Sequence, residues 1–511
     1  MVRRFLRVMV AAATLALGAT GVARAVDADD DPRLEEPLTL DICIAIALDH
    51  NLELQAARLQ YQSSRAGVGA AVGIYWPTFQ VTGGGSNFNL GGEPFMVAQI
   101  RPQYAEYVGR HDLDQWIRGG TASVLQQTPL GSIIGVNYIL NHTKLEPDRH
   151  DTPNYAFNAI FTQPLLRGGG WRAGTAELRS ANIESEIAAA DLRARELFVI
   201  EQAKTSYYET LRSLQLIEVN QQAVARDSQL VRLSQSKLDT GLGTKRDVLS
   251  AEIQMEQDRG TLVDAQTSYA EAEDFLCRVL GISLGVHKLA FVPMPVTHDP
   301  IEIDGPKWLE KARRDNPVLK AATLTVERDR HLMQVAGNAR LPQLDVSFGW
   351  EHLNDPDFNE LRKEENVFRA AAGDSTKDYR TTGAKGWTGG VLLTMPLGNK
   401  VLGNQYRQAE LTYEQSRRLA LEVERRTINE GRTAVRTLLN NVERLAILQK
   451  SIDGARSKLE FADVNFQLGR ASNLDITDAQ KDLVDAQTDY VNEVIDYKIQ
   501  VARIEQLLGG F

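Results

Sequence analysis

Two carboxylates near the C-terminus are spaced to stand together on a helix face. In Phe466-Gln467-Leu468-Gly469-Arg470-Ala471-Ser472-Asn473-Leu474-Asp475-Ile476-Thr477-Asp478, Asp475 and Asp478 lie one helical turn apart and share a helix face. At a constriction such charges select ions. The segment also has a sufficient structural reading: the glycine reverses the chain, Ser472 or Asn473 caps the next helix, and Asp475 sits in a first turn whose dipole favours an anion. An earlier segment matches this one, with Asp247 in the place of Asp475 but Ser250 in the place of Asp478, so the charge pair occurs once.

Other reactive-looking clusters are poor. Ser234-Gln235-Ser236-Lys237 fits an S-x-x-K pattern but lies on a long polar helix without companion motifs, and reads as solvated face. Gly241-Leu242-Gly243-Thr244-Lys245 lacks the GK[ST] of a phosphate loop, and eight scattered histidines make no HExxH metal site. Cys43 and Cys277 are too few for a disulfide scaffold and lack zinc spacing; two buried thiols are the ordinary reading, one disulfide the alternative. No catalytic residue, cofactor or metal site is expected, and the chain reads as non-enzymatic.

Residues 1–25 have the three parts of a secretory signal: Arg3, Arg4 and Arg7, an apolar run from Val8 to Ala19, and Ala23-Arg24-Ala25 as a small-x-small cleavage site. The run is shorter than the roughly 20 residues of a spanning helix, so export is expected, with 26–37 a linker. Removing the segment's four arginines takes 57 basic residues to 53 against 67 acidic, a balance near −14 that argues against nucleic acid. With no other stretch of spanning-helix hydropathy and a mean hydropathy of −0.28, any bilayer contact must be made by strands.

These residues sit in a duplicated frame. Asn51-Leu52-Glu53-Leu54-Gln55-Ala56-Ala57 returns as Asn316-Pro317-Val318-Leu319-Lys320-Ala321-Ala322, an offset of 265 that also carries Pro77 onto Pro342. Gly241, Asp247, Ala251, Tyr269, Leu280 and Gly281 fall on Gly469, Asp475, Ala479, Tyr497, Leu508 and Gly509, an offset of 228. Gln163-Pro164-Leu165 matches Met395-Pro396-Leu397 at 232, which places the length difference between Pro77 and Pro164 and between Pro342 and Pro396. The repeats are therefore read as 38–300 and 301–511.

Each repeat predicts helix, strands, long helix, sharp turn, helix. The first gives helices at 40–75, 171–238 and 247–280 around strands and loops at 77–165; the second gives 306–340, 402–468 and 475–508 around strands and a loop at 342–396. Val435, Leu438, Val442, Leu445, Ile452 and Leu459 keep a heptad spacing, with Gln449 and Arg456 as polar interruptions, which predicts coiled-coil packing. A long helix of roughly 68 residues would measure ~100 Å, matched by two half-length helices end to end, and so slender a unit needs neighbours.

The strands alternate. Leu344, Val346, Phe348 and Trp350 share a face, as do Tyr155, Phe157, Ala159 and Phe161, then Trp387, Gly389, Val391, Leu393 and Met395, and Phe79 and Val81. No helix has an apolar face broad enough to cover them, and closed barrels are the only sheets that span membranes. Ile134, Val136, Tyr138 and Leu140, after Thr121 to Gln126 and the Pro129-Leu130-Gly131 turn, read as an extra hairpin, either in the barrel or folded outside it.

Taken together, Leu38-Thr39-Leu40, Asn51 to Leu54, Asn316 to Leu319, Pro77, Pro342, Gln163 to Gly170 and the turns Gly241–Ala251 and Gly469–Ala479 resemble the TolC-like outer-membrane efflux family over nearly the whole mature chain. The resemblance implies a mostly α fold with a β-barrel. Strands of a homotrimer pool into one outer-membrane barrel, and helices form a hollow periplasmic α-barrel. The implied function is a channel-tunnel for small molecules or secreted polypeptide in tripartite efflux or type I secretion. The implied partners are a periplasmic adaptor, an inner-membrane pump of RND, ABC or MFS type, and outer-membrane lipid.

The resemblance also assigns residues. Asp475 and Asp478 would ring the periplasmic entrance, with Asp247 beside them. The family commonly has tyrosine where Phe466 stands and a basic residue where Ala471 stands, so closure here needs other contacts, for which Arg470, Lys245 and Arg246 are candidates. Thr240-Gly241-Leu242-Gly243 and Leu468-Gly469-Arg470-Ala471 resemble the surfaces that receive adaptor tips. A structural coiled-coil envelope protein without a pore is the alternative; it would explain the helices but not the alternating strands.

Overall fold

The computed structural model describes residues 29, 31–90, 113–146, 150–241, 243–285, 289–292, 304–354, 384–395, 400–468 and 470–510. The expected signal segment, residues 91–112 and 355–383, and Leu242, Pro396, Leu397 and Gly469 lie outside them. In chain order the elements are α1 (Leu40–His50), α2 (Leu52–Gly73), β1 (Thr78–Leu90), β2 (Leu113–Gln127), β3 (Ile133–Glu146), β4 (His150–Pro164), α3 (Gly170–Gly174), α4 (Ala176–Asp239) and α5 (Lys245–Leu280). Then come α6 (Gly305–Asp315), α7 (Pro317–Ala339), β5 (Gln343–Asn354), β6 (Ala384–Thr394), α8 (Lys400–Gln467) and α9 (Asn473–Leu507). Two compact units divide them: Met1–Ala56, Ala194–Arg314 and Ile428–Phe511 form one, Ala57–Arg193 and Asp315–Thr427 the other.

Where the sequence predicts single helices at 40–75 and 306–340, the structure has two in each. The break falls at matching residues. Asn316 is extended at ψ 118°, its side-chain oxygen accepts from the Val318 and Leu319 amides, and Pro317 supplies a first residue that has no amide to satisfy. Asn51 does the same for α2, accepting from the Leu54 amide at 3.0 Å and donating to the Val279 carbonyl at 2.9 Å. The long helix likewise starts later than predicted, because α3 stops at Gly174 and α4 begins at Ala176.

The helical unit packs by heptads, with a correction to the predicted seam. Leu438, Leu445 and Ile452 are buried and Leu459 is half-buried, as the spacing implies. The most buried alternating positions are Ala434 and Asn441, followed by half-buried Leu448 and Ala455 and buried Ala462; the predicted Val435 and Val442 are half-buried, and Val442 packs against the same cluster. Gln449 and Arg456 are exposed, so they interrupt nothing; the i+4, i+3 order replaces i+3, i+4. Cys43 and Cys277 are buried free thiols, which desolvation pushes up to about 12 and about 11.

The other unit carries a six-stranded antiparallel sheet in the order β1-β2-β3-β4-β5-β6. The predicted extra hairpin is β2 and β3, and it lies inside the sheet between β1 and β4. Register brings the alternating residues onto one face: Phe79 opposite Val124, Val124 opposite Val136, Tyr138 opposite Phe157, Phe161 opposite Phe348, Trp350 opposite Trp387. The reverse face carries Gln80, Ser123, Asn137, Asn158 and Ser347, with Asn137 donating to Asn158 at 2.7 Å. Among the described residues no helix is long and apolar enough to cross a membrane.

Candidate gate and docking turns

Two turns close the helix pairs of the first unit, by the same chemistry. After α4, Thr240 Oγ1 donates to the Ser236 carbonyl at 3.0 Å and Gly241 takes φ 75°, the left-handed value that reverses the chain. Thr244 opens α5 with a reciprocal cap: the Asp247 amide donates to Thr244 Oγ1 at 3.3 Å and the Thr244 amide to Asp247 Oδ2 at 2.9 Å. In the second turn the Asp475 amide donates to Ser472 Oγ at 3.4 Å and the Ser472 amide to Asp475 Oδ2 at 2.7 Å. These bonds hold both carboxyls below the usual aspartate range, Asp247 chiefly through the Thr244 hydroxyl and Asp475 chiefly through the Ser472 amide.

The two acids singled out in the sequence therefore differ. Asp475 serves the cap, as Asp247 does in the first copy, whereas Asp478 is exposed and takes no part in it. Asp482, Asp485 and Asp489 extend its line along α9 at steps of four, three and four residues, all exposed, with Lys458 paired to Asp482. Sequence reasoning missed this stripe although its spacing was legible. The matching positions on α5 are Ser250, Gln254, Gln257 and Thr261, so the stripe belongs to one copy.

Phe466 is 3% exposed and packs against Leu230, Ala251, Ala462, Ile476 and Ala479. Lys237 Nζ stands 3.2 Å from its ring centroid and donates to its carbonyl at 2.8 Å. Ser234, one turn earlier, is 2% exposed and accepts from Asn473 Nδ2 at 2.6 Å, and the same amide donates to the Asp247 carbonyl at 2.9 Å. Ser234 and Lys237 are thus not the solvated face their sequence pattern implies; they join the first turn to the second. Polar residues at heptad spacing on α4 were the available signal.

The remaining predicted residues lie around these contacts. Lys245 and Arg246 are exposed in the first turn of α5, where the helix dipole disfavours cations. Arg470 is exposed, its amide bound to the Asn465 carbonyl at 2.8 Å, while Leu468 is exposed and Ala471 leans on the Phe466 cluster. Gly243 lies against Lys237, where even a methyl group would stand 3.1 Å from the Lys237 Cβ and crowd it. Deeper along the pair, Asp227 of α4 is 2% exposed beside Asp258 of α5; desolvation first, then Asp258, raise its carboxyl well above the aspartate range against a smaller opposing pull from Arg226.

The model of the family described as "Outer membrane efflux protein" matches residues 131–282 and 308–510, more than half of the chain and both copies of the duplicated unit. The chain belongs to the outer membrane efflux protein family. It is 24% identical over 355 residues to the outer membrane protein TolC of Vibrio cholerae serotype O1, an overlap of 67% of this chain and 74% of that protein. Its fold is that of the outer-membrane channel OprN, with a TM-score of 0.68 at 16% identity over 95% of this chain and 91% of that one. The outer membrane protein VceC of Vibrio cholerae gives 0.65 at 16% identity, covering 92% and 96%. An efflux-family chain of this kind is an outer-membrane channel working in tripartite systems, and its family transports rather than catalyses. The pore-less envelope protein finds no support.

Proposed function

We propose that three copies of this efflux-family chain close side by side into one tube, their sheets forming a barrel in the outer membrane and their helices enclosing a water-filled duct in the periplasm. The continuous apolar sheet face carries this reading. Trp387 is 75% exposed, Val391 70%, Val81 66% and Leu393 64%, and lipid is the medium that such a band fits. The edges β1 and β6 run antiparallel, so β6 of one copy can pair with β1 of the next and leave no unpaired strand.

Residues 1–25 export the chain. At the far end of the duct, Asp478 and the acids that follow it form threefold rings that draw cations inward, with Asp475 holding the helix start in place. The Lys237 to Phe466 contact and the Asn473 bonds to Ser234 and Asp247 fasten the entrance, aided by the exposed cations Lys245, Arg246 and Arg470. The turns Thr240–Gly243 and Leu468–Ala471 receive the tips of a periplasmic adaptor that leads to an inner-membrane pump, whose class sets the cargo, small molecule or polypeptide. Adaptor cross-linking tests the last step: cysteines at Thr240 and Leu468 are expected to trap the adaptor, and failure at both positions, in cells where the pump still works, contradicts this docking.

A further inference from the structure

Among the described residues the second copy of the unit supplies two strands, β5 and β6, which pair with each other directly. The first supplies four, because β2 and β3 separate β1 from β4. The repeat offset carries the same difference: it falls from 265 at Pro77 to 232 at Pro164, a change of 33, and the hairpin from Leu113 to Glu146 covers 34 residues. The first copy is longer than the second by about one hairpin.

The hairpin is built into the sheet. Its outward residues Val124, Val136 and Tyr138 continue the apolar face in register from Phe79 to Phe157, and its reverse side offers Ser123, Thr121 and Asn137 beside Asn158. Its turn is seated on the lead-in to the long helix: the Gly170 amide donates to the Leu130 carbonyl at 3.1 Å, and Gln163 Nε2 reaches the same oxygen at 3.3 Å. A methyl group at Gly174 would stand 2.2 Å from the Pro129 carbonyl oxygen, and one at Gly131, where φ is 82°, 2.2 Å from that of Gly168. Glycine at both places lets the turn approach.

We infer that the membrane section of this channel is an eighteen-stranded barrel, six strands from each of three subunits, and not the twelve-stranded one that two strands per repeat would give. The inference rests on the trimeric channel proposed above. Six is even, so the edge strands remain antiparallel and the ring still closes. With strands about 4.8 Å apart and tilted about 40°, the backbone radius rises from about 12 Å to about 18 Å, and the cross-section roughly doubles. Such an outlet, lined on its inner face largely by uncharged polar and small residues with Asp345 and Glu351 among them, is too wide to filter by size. Selection then belongs to the helical entrance, and the outlet suits bulky cargo such as an extended polypeptide.

Electron cryomicroscopy of the full chain in lipid nanodiscs counts the strands, and cysteine scanning of the hairpin supplies a second readout. Eighteen strands are expected, with a water-soluble maleimide labelling Asn137→Cys and Thr121→Cys at least tenfold faster than Val136→Cys and Val124→Cys. Twelve strands with all four positions labelled alike places the hairpin outside the wall and overturns the inference while leaving the channel intact. A monomeric, non-conducting particle overturns the channel reading and this inference with it.

Discussion

Lys237 of the first long helix places its ammonium 3.2 Å from the ring centroid of Phe466 on the second, and donates to that residue's carbonyl at 2.8 Å. One side chain thus spans the two copies of the repeat where their helices turn. A cation over an aromatic face and a charged hydrogen bond together are worth about 1–3 kcal/mol when partly desolvated. Lys237→Met is therefore expected to raise the open fraction of single channels by about 5-fold or more and to admit large antibiotics, with Lys237→Arg close to the parent. Unchanged gating in Lys237→Met, with the trimer intact, removes this residue from the latch.

Asp475 and Asp478 separate by their bonds. Asp475→Asn weakens a helix cap and is expected to lower the melting temperature. Asp478→Asn touches no cap, so its melting temperature is expected to hold while the cation-to-anion permeability ratio drops; reversal potentials in a salt gradient measure it. Equal effects of both variants on melting would place Asp478 in the fold instead.

Asn51→Ala and Asn316→Ala probe the breaks in the first helices. Both lose a cap worth about 0.5–2 kcal/mol, but Asn51→Ala also strands the Val279 carbonyl that its amide satisfies. Denaturant titration is expected to rank Asn51→Ala as the more damaging, by roughly 1 kcal/mol or more; the reverse order would show that the inter-helix bond contributes little.

The pH dependence follows from Asp227, buried beside Asp258 and partly offset by Arg226, with Gln254 donating to Asp258 at 2.9 Å. Its raised carboxyl binds a proton more firmly folded than unfolded. Unfolding thus releases that proton between the ordinary aspartate range and the raised value, and stability falls as pH climbs through this window, levelling above it. The melting temperature is expected to decline from about pH 4 to about pH 7 by a margin that shrinks in Asp227→Asn. An unchanged slope in that variant assigns the dependence to other acids.

Much of this was legible in the residues. Alternation in Leu344 to Trp350 and Tyr155 to Phe161 showed which side chains share a face, and the two glycine turns stood out because duplication printed them twice. What stayed hidden depended on one-residue phase or on partners far along the chain. The heptad at Leu438, Leu445 and Ile452 admits either neighbour as its alternate, and only packing shows that Ala434 and Asn441 are buried while Val435 and Val442 stay half-buried at the seam's edge. Ser234 and Lys237 looked solvated because their partners, Asn473 and Phe466, lie more than 200 residues away. The Asn-Pro pair at 316 was a readable break that helical periodicity on both sides concealed.

Ionic current through a planar lipid bilayer carrying the purified, processed protein tests the central claim most directly. Discrete steps of current that favour cations, from a particle three chains in size, are expected. A folded protein that stays monomeric in water and passes no ions when offered lipid contradicts it.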